Sequence, residues 1–183
     1  MFRGSFSTLA AALCLLFTAT YSSAQQPRRE PDVIYVPSPD AVMEAMLEIA
    51  AVKKTDVVYD LGSGDGSIVI MAARKYGARG VGIEINPVLI KEARQNAETA
   101  GVTHLVRFIE GDLFEADIRE ATVVTLFLLE SLNERLRPKL ISSLRPGSRI
   151  VSHEFGMGSW KPEKSIEVER RRVHLWTVPE TRQ

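Results

Sequence analysis

One short loop, Asp60-Leu61-Gly62-Ser63-Gly64-Asp65-Gly66, carries the residues with the clearest chemical meaning. It follows an uninterrupted β-type run, Val57-Val58-Tyr59, and precedes a helical pattern over 67–76. Glycines here let the backbone turn tightly and approach a ligand where any Cβ would collide. The helix that follows presents unpaired N–H groups to a carboxylate or phosphate. The dinucleotide fingerprint needs a third glycine where this chain has Ser67. The Gly-Lys-Ser/Thr ending of a Walker A loop is also missing. Two acids stand at the next strand ends. Glu84 closes the second strand, where its carboxylate can accept from both hydroxyls of a ribose; in this reading it caps no helix, so its removal should barely change stability. Asp112, in Gly111-Asp112-Leu113, follows the third strand, placed to meet an exocyclic amine of a purine. Either acid alone is as well explained by a solvated loop position. Three such features at successive strand ends converge on one ligand, because open α/β sheets bind outside the carboxyl ends of their strands.

The elements that must position these residues alternate. Ser38 and Pro39 read as the N-cap and first-turn proline of a helix over 39–52, with Val42, Met46, Ile49 and Ala50 on its apolar stripe. Strands follow at 57–59, 80–85, 106–110, 123–128 and 149–155. Helices lie between them at 67–76, from Asn86 (cap) and Pro87 to a stop at Gly101, and at 131–144. Continuous apolar strands separated by helices indicate a parallel sheet covered on both faces. Two closely spaced runs, 166–171 and 173–178, then require an antiparallel hairpin. The expected fold is α/β: a doubly wound, Rossmann-like, seven-stranded sheet, mostly parallel, ending in an antiparallel C-terminal hairpin.

Composition removes other classes. Of 183 residues 45% are hydrophobic and 25% charged, which excludes a disordered or collagen-like chain. Lys+Arg and Asp+Glu are 23 each, so the global basic footprint of a nucleic-acid-binding protein is missing and no nucleic acid partner is expected. The N-terminus has Arg3, an apolar run Thr8–Ala19 and the small residues Ser22-Ser23-Ala24. This is the pattern of a secretory signal peptide over 1–24, too short to span a bilayer. Cleavage after Ala24 implies export to the periplasm or beyond, with no membrane span left. An uncleaved anchor, or a cytoplasmic protein with a misassigned start, is the alternative. Residues 25–37 read as an extended lead-in and 38–183 as one domain. Cys14 is the sole cysteine and lies in the signal segment. No cysteine or spaced histidine set is then left to bind a metal, and none is expected.

Together these residues resemble the class I, seven-strand S-adenosylmethionine-dependent methyltransferases over about 33–178. Asp60 through Gly66 match the family's D-x-G-x-G-x-G loop, Ile83-Glu84-Ile85-Asn86 its second motif and Gly111-Asp112 its third. The resemblance implies S-adenosyl-L-methionine as cofactor, with its methionine end on Asp60–Gly66 (Gly62, Ser63, Gly64 and Gly66 included), its ribose on Glu84 beside Ile85, and its adenine near Asp112 and Leu113. Tyr35-Val36-Pro37-Ser38-Pro39, the run 56–70, Thr125–Leu129 and Leu132–Leu136 are similar to a narrower protein-lysine methyltransferase group. That group includes the mitochondrial ATP synthase c-subunit enzymes and archaeal relatives. There the Tyr-Val-Pro segment folds over the cofactor, so Tyr35 and Ser38 become candidate contacts.

The implied reaction is an in-line displacement on an already activated methyl, which needs alignment and a neutral nucleophile. Glu130 is the candidate for holding or deprotonating an incoming amine; capping the helix from Ser131 is its alternative role. His153, at the end of the fifth strand, is a candidate base, and a structural role is its alternative. The Asn/Asp-Pro-Pro-Tyr motif of nucleobase and glutamine N-methyltransferases would fall near 127–131, where the chain reads Phe-Leu-Leu-Glu-Ser. That sequence argues against those substrates, and the resemblance implies a protein lysine as the acceptor. A small-molecule amine, a noncatalytic cofactor-binding module and a nicotinamide dehydrogenase are the competing readings.

Overall fold

The computed structural model describes residues 35–180. The expected signal peptide and most of the lead-in lie outside the described residues. Five strands run β1 (Val57–Leu61), β2 (Arg79–Glu84), β3 (Val106–Glu110), β4 (Val123–Leu126) and β5 (Arg149–His153). The helices are α1 (Asp40–Ile49), α2 (Ser67–Tyr76), α3 (Pro87–Thr99) and α4 (Glu130–Ser143). A hairpin, β6 (Lys164–Val168) and β7 (Arg171–Thr177), ends the sheet. Its order is β3-β2-β1-β4-β5-β7-β6, with only the β7 pairings antiparallel. The expected doubly wound, seven-stranded fold is what the chain adopts.

Period-2 alternation divides the core into two layers. Val58 of β1 faces a layer built from α1, α2 and α3, with Met46, Val69 and Ile90. Val57, Tyr59 and Leu61 face the other layer, with Leu136 and Leu140 of α4 and Trp176 of β7. Apolar burial on both faces explains why these strands read as unbroken hydrophobic runs.

Several local expectations need correction, among them the ends of β4, at Leu126 and not 128, and of β5, at His153 and not 155. The α1 N-cap is Pro39, with no side-chain cap, because the Ser38 hydroxyl is bonded elsewhere, to His153 Nδ1 at 2.8 Å. Glu130 is the first residue of α4 and not its cap; Leu129 takes that position. The last hairpin turns two residues earlier than its alternation suggests, since Glu169 and Arg170 both adopt positive φ (51° and 63°). The cap expected at Asn86 is present, its side chain accepting from Val88 N at 2.9 Å.

Candidate active site

The β1–α2 turn is held open by three left-handed glycines, Gly62 (φ 86°), Gly64 (53°) and Gly66 (80°). Its backbone is tied to the neighbouring strand. Gly62 N and Ser63 N donate to Ile83 O at 2.9 and 3.0 Å. Glu84 completes the tie: Oε2 accepts from Gly64 N at 3.0 Å and Oε1 from Asn86 N at 2.8 Å. The expectation that Glu84 has no structural duty is thus corrected. The carboxylate splints the glycine loop to the start of α3. It keeps capacity for a ligand, because a carboxylate offers about four acceptor sites and two are used.

Beside this turn lies a cleft of about 550 Å³, within the usual range for a small-molecule site. Tyr35, Ser38, Asp60, Gly62, Ser63, Glu84, Ile85, Gly111, Asp112 and Leu113 all line it, so most of the sequence candidates are brought together. Gly64 and Gly66 are buried behind the wall, where Tyr35 and Phe108 occupy the space their Cβ atoms would take. The Ser63 hydroxyl is buried without a partner, turned toward Gly82, where a Cβ would sit 2.5 Å from it. Asp112 Oδ1 accepts from Phe114 N at 2.8 Å, which sets its loop.

Neither candidate for amine chemistry is on the cleft wall. Glu130 is exposed and lines a neighbouring hollow of about 220 Å³, with Oε1 accepting from Gly158 N at 3.4 Å. His153 is fully buried, stacked on Phe127 with ring centroids 3.8 Å apart. Burial, helped by the positive charge of Arg171, lowers its pKa to about 4, so it is neutral and shielded from any acceptor. A direct role as base is corrected by that burial.

Several lining residues were given no ligand contact from sequence: Met43 and Met46 of α1, and Leu126-Phe127-Leu128. The methionines sit three apart on one helix face, a spacing that reads as ordinary core. Asn133 was also missed. Its Nδ2 donates to Ser152 Oγ, Phe155 O and Gly156 O at 3.2, 3.3 and 3.1 Å, pinning the loop after β5 to α4.

Charge in the cleft has one sign. Asp60, Asp65, Glu84 and Asp112 line it, and among the described residues no Lys, Arg or His does. A pyrophosphate-bearing dinucleotide would meet four carboxylates there, which disfavours a nicotinamide cofactor. A cationic nucleoside meets complementary charge, and the sulfonium and ammonium groups of S-adenosylmethionine fit that wall. The Asp60 carboxyl is buried at the cleft wall; burial, and then the Glu84 and Asp65 carboxylates, push its pKa up to about 7 against a Thr125 hydroxyl bond at 2.7 Å. Burial likewise raises the Tyr35 hydroxyl, and the adjacent Asp65 carboxylate raises it further.

This sheet, with an acid-lined cleft at its carboxyl edge, defines a class I S-adenosylmethionine-dependent methyltransferase. The chain belongs to the family of the ANTKMT methyltransferase domain, whose model matches residues 60–164. It is 49% identical over 155 residues to a protein-lysine N-methyltransferase of Saccharolobus islandicus, covering 82% of this chain and 96% of that one. It is 33% identical over 129 residues to the ATP synthase c-subunit lysine N-methyltransferase of Xenopus laevis, covering 70% of this chain. The chain spans only 56% of that longer relative. Among solved structures, a Salinibacter ruber protein described as an RNA methyltransferase, in complex with S-adenosyl-L-homocysteine, superposes with a TM-score of 0.79. It is 60% identical, covering 80% of this chain and 95% of that one.

Proposed function

We propose that this methyltransferase modifies the side-chain amine of a protein lysine. The observation that carries it is the 49% identity to a protein-lysine N-methyltransferase across nearly all of that relative's length. The rim of the cleft supports it. Tyr35 and Val36, which line the cleft, are large apolar residues left 41% and 52% exposed. An apolar rim beside an acidic cleft suits a cationic side chain delivered on a polypeptide. S-adenosylmethionine supplies the activated methyl when bound. In our reading Asp60, Glu84 and Asp112 hold it, the glycine loop admits it, and Glu130 draws the acceptor ammonium toward the cleft mouth.

A second reading, an RNA acceptor, is favoured by the description of the Salinibacter ruber protein. The charge of this chain weighs against it. Lys+Arg and Asp+Glu balance at 23 each, and among the described residues no base lines the cleft to meet a phosphate. Incubating the purified enzyme with methyl-labelled cofactor, and with protein and RNA fractions from its host, separates the readings. Label in protease-sensitive bands that yields methyllysine on hydrolysis is expected. Label that ribonuclease releases would replace lysine by RNA, label confined to small molecules would replace both, and no transfer at all would leave a binding module.

Asp60 makes cofactor affinity depend on pH. Its folded pKa of about 7 lies above the ordinary 3.8, so the folded protein takes up a proton that the unfolded chain releases. Stability therefore falls as pH rises from about 4 to about 7, and Asp60→Asn should be more stable than wild type at pH 8 but not at pH 4. A cationic ligand favours the charged carboxylate, so affinity for S-adenosylmethionine should rise by up to about tenfold per pH unit below about pH 7 and level off above it. Calorimetric titration from pH 5.5 to 8.5 reads this directly. An Asp60→Asn profile as steep as wild type would assign the titration to another group.

A further inference from the structure

The segment Tyr35–Ser38 crosses the cleft without helix or strand. Pro37 and Pro39 flank Ser38 and have no N–H to donate, which leaves more of the strap's attachment to side chains. They do so at two points. The Tyr35 ring lies over Gly64 on the glycine loop, where a Cβ would collide with the ring's Cε2–Cδ2 edge. Ser38 Oγ meets His153 Nδ1 at 2.8 Å, on the far side of the cleft. His153 is 0% exposed, and its Nε2 has no hydrogen-bond partner, so Ser38 supplies its one side-chain hydrogen bond. The bond forms in either neutral tautomer, with the hydroxyl donating to Nδ1 or Nδ1–H donating to the hydroxyl.

A face of the same imidazole fixes a second wall. Phe127 stacks on it with an interplanar angle of 27°, and Phe155 stands 6.2 Å from Phe127. Phe127 and Ser38 both line the cleft, whereas His153 does not. The residue after His153, Glu154, is held at a positive φ of 66° by bonds from Arg172 N, Nε and Nη2. Strain of this kind at a strand end persists only where surrounding contacts over-determine it. Here it ends β5 at His153, so the imidazole closes the sheet and Phe155 turns toward Phe127.

We infer that His153 is a positioning residue for methyl transfer: it latches the strap across the cofactor cleft through Ser38 and props the Phe127 wall. Ser38 thus acts on the cofactor through the latch. The inference rests on the cleft being the cofactor site, and one of its readouts needs no cofactor. A histidine serves both roles because one planar ring offers a stacking face and an edge nitrogen.

Four variants test it: Ser38→Ala, Ser38→Thr, His153→Phe and the Ser38→Ala/His153→Phe double. His153→Phe keeps an aromatic face for Phe127 and removes the latch. Two quantities are read: the dissociation constant for S-adenosylmethionine, and the rate of chymotryptic cleavage after Tyr35 in cofactor-free protein, located by mass spectrometry. Cleavage reports the population of the unlatched strap when opening is fast. Loss of one buried hydrogen bond should raise cleavage and weaken binding by about three- to tenfold in Ser38→Ala and in His153→Phe. The double variant should lose no more than either single one, and Ser38→Thr should behave like wild type. Losses that add in the double variant overturn the latch, as does Ser38→Ala with unchanged cleavage, whatever its affinity. If His153→Phe does not fold, the Ala/Thr contrast at Ser38 in the cleavage assay decides alone. A wild type that binds no S-adenosylmethionine yet shows the cleavage contrast would retire the cofactor assignment and keep the latch.

Discussion

Glu84→Ala is expected to lose both cofactor binding and stability. The carboxylate accepts from Gly64 N and Asn86 N and is only 8% exposed, so alanine leaves two N–H groups without an acceptor in a poorly hydrated place. Hydrogen bonds to a charged group contribute about 1.5–3 kcal/mol, and an abandoned buried donor costs about 1–3 kcal/mol. A net destabilisation of about 2–4 kcal/mol follows after partial relaxation, roughly 5–15 °C in Tm for a domain of this size. Affinity for S-adenosylmethionine should fall by about 10- to 150-fold or more, since the ribose acceptor and the loop geometry go together. Glu84→Gln keeps one acceptor oxygen but turns an NH2 toward the other backbone N–H, so it should fall between. A thermal melt beside a cofactor titration for both variants resolves this. Wild-type melting with impaired binding would make Glu84 a ligand group alone; the reverse would make it a splint alone.

How far the sequence reveals this site depends on whether each feature is local. The glycine loop, Glu84 and Asp112 are legible because each sits at the end of an apolar run. Parallel topology brings successive strand ends to one edge without any knowledge of side-chain contacts. The bounds of α2 and β3 come out as expected for the same reason: glycines or a change of period mark both ends. What fails is non-local. Ser38-Pro39 has the form of a cap, but its hydroxyl is captured by His153, 115 residues away. Nothing near His153 in the chain shows that Val173 will pair beside it and bury it. The end of β4 is misplaced because Leu128 is as apolar as Leu126, whereas the strand ends at Leu126 and Phe127 beyond it stacks on His153. Glu130 follows the expected strand, yet the loop pinned by Asn133 draws its carboxylate toward Gly158. These misses at Ser38, His153, Phe127 and Glu130 share one physical cause: a polar or aromatic group found its partner on an element far away in sequence, and that partner outweighed the local preference.

Gly64→Val should abolish cofactor binding by a route different from simple blockage. A branched side chain at a glycine turn is expected to fill the ligand site, yet Gly64 lies behind the cleft wall. Its φ of 53° is left-handed, which costs a non-glycine residue roughly 1–2 kcal/mol and a β-branched one more. A Cβ there would also collide with the Cε2–Cδ2 edge of the Tyr35 ring, so the ring and the strap behind it must move. The same shift displaces Gly64 N from Glu84 Oε2 and disturbs the acceptor geometry on which the ribose depends. These losses act together and should weaken S-adenosylmethionine binding by roughly 100-fold or more, equivalent to about 2.7 kcal/mol or more. The sheet and both core layers are untouched, so the protein should still melt cooperatively. Removing the obstructing ring distinguishes the two routes: Tyr35→Ala in the Gly64→Val background should recover part of the affinity if displacement of the strap is the cause. If the double variant binds no better than Gly64→Val, backbone strain in the loop accounts for the loss and the contact with Tyr35 does not.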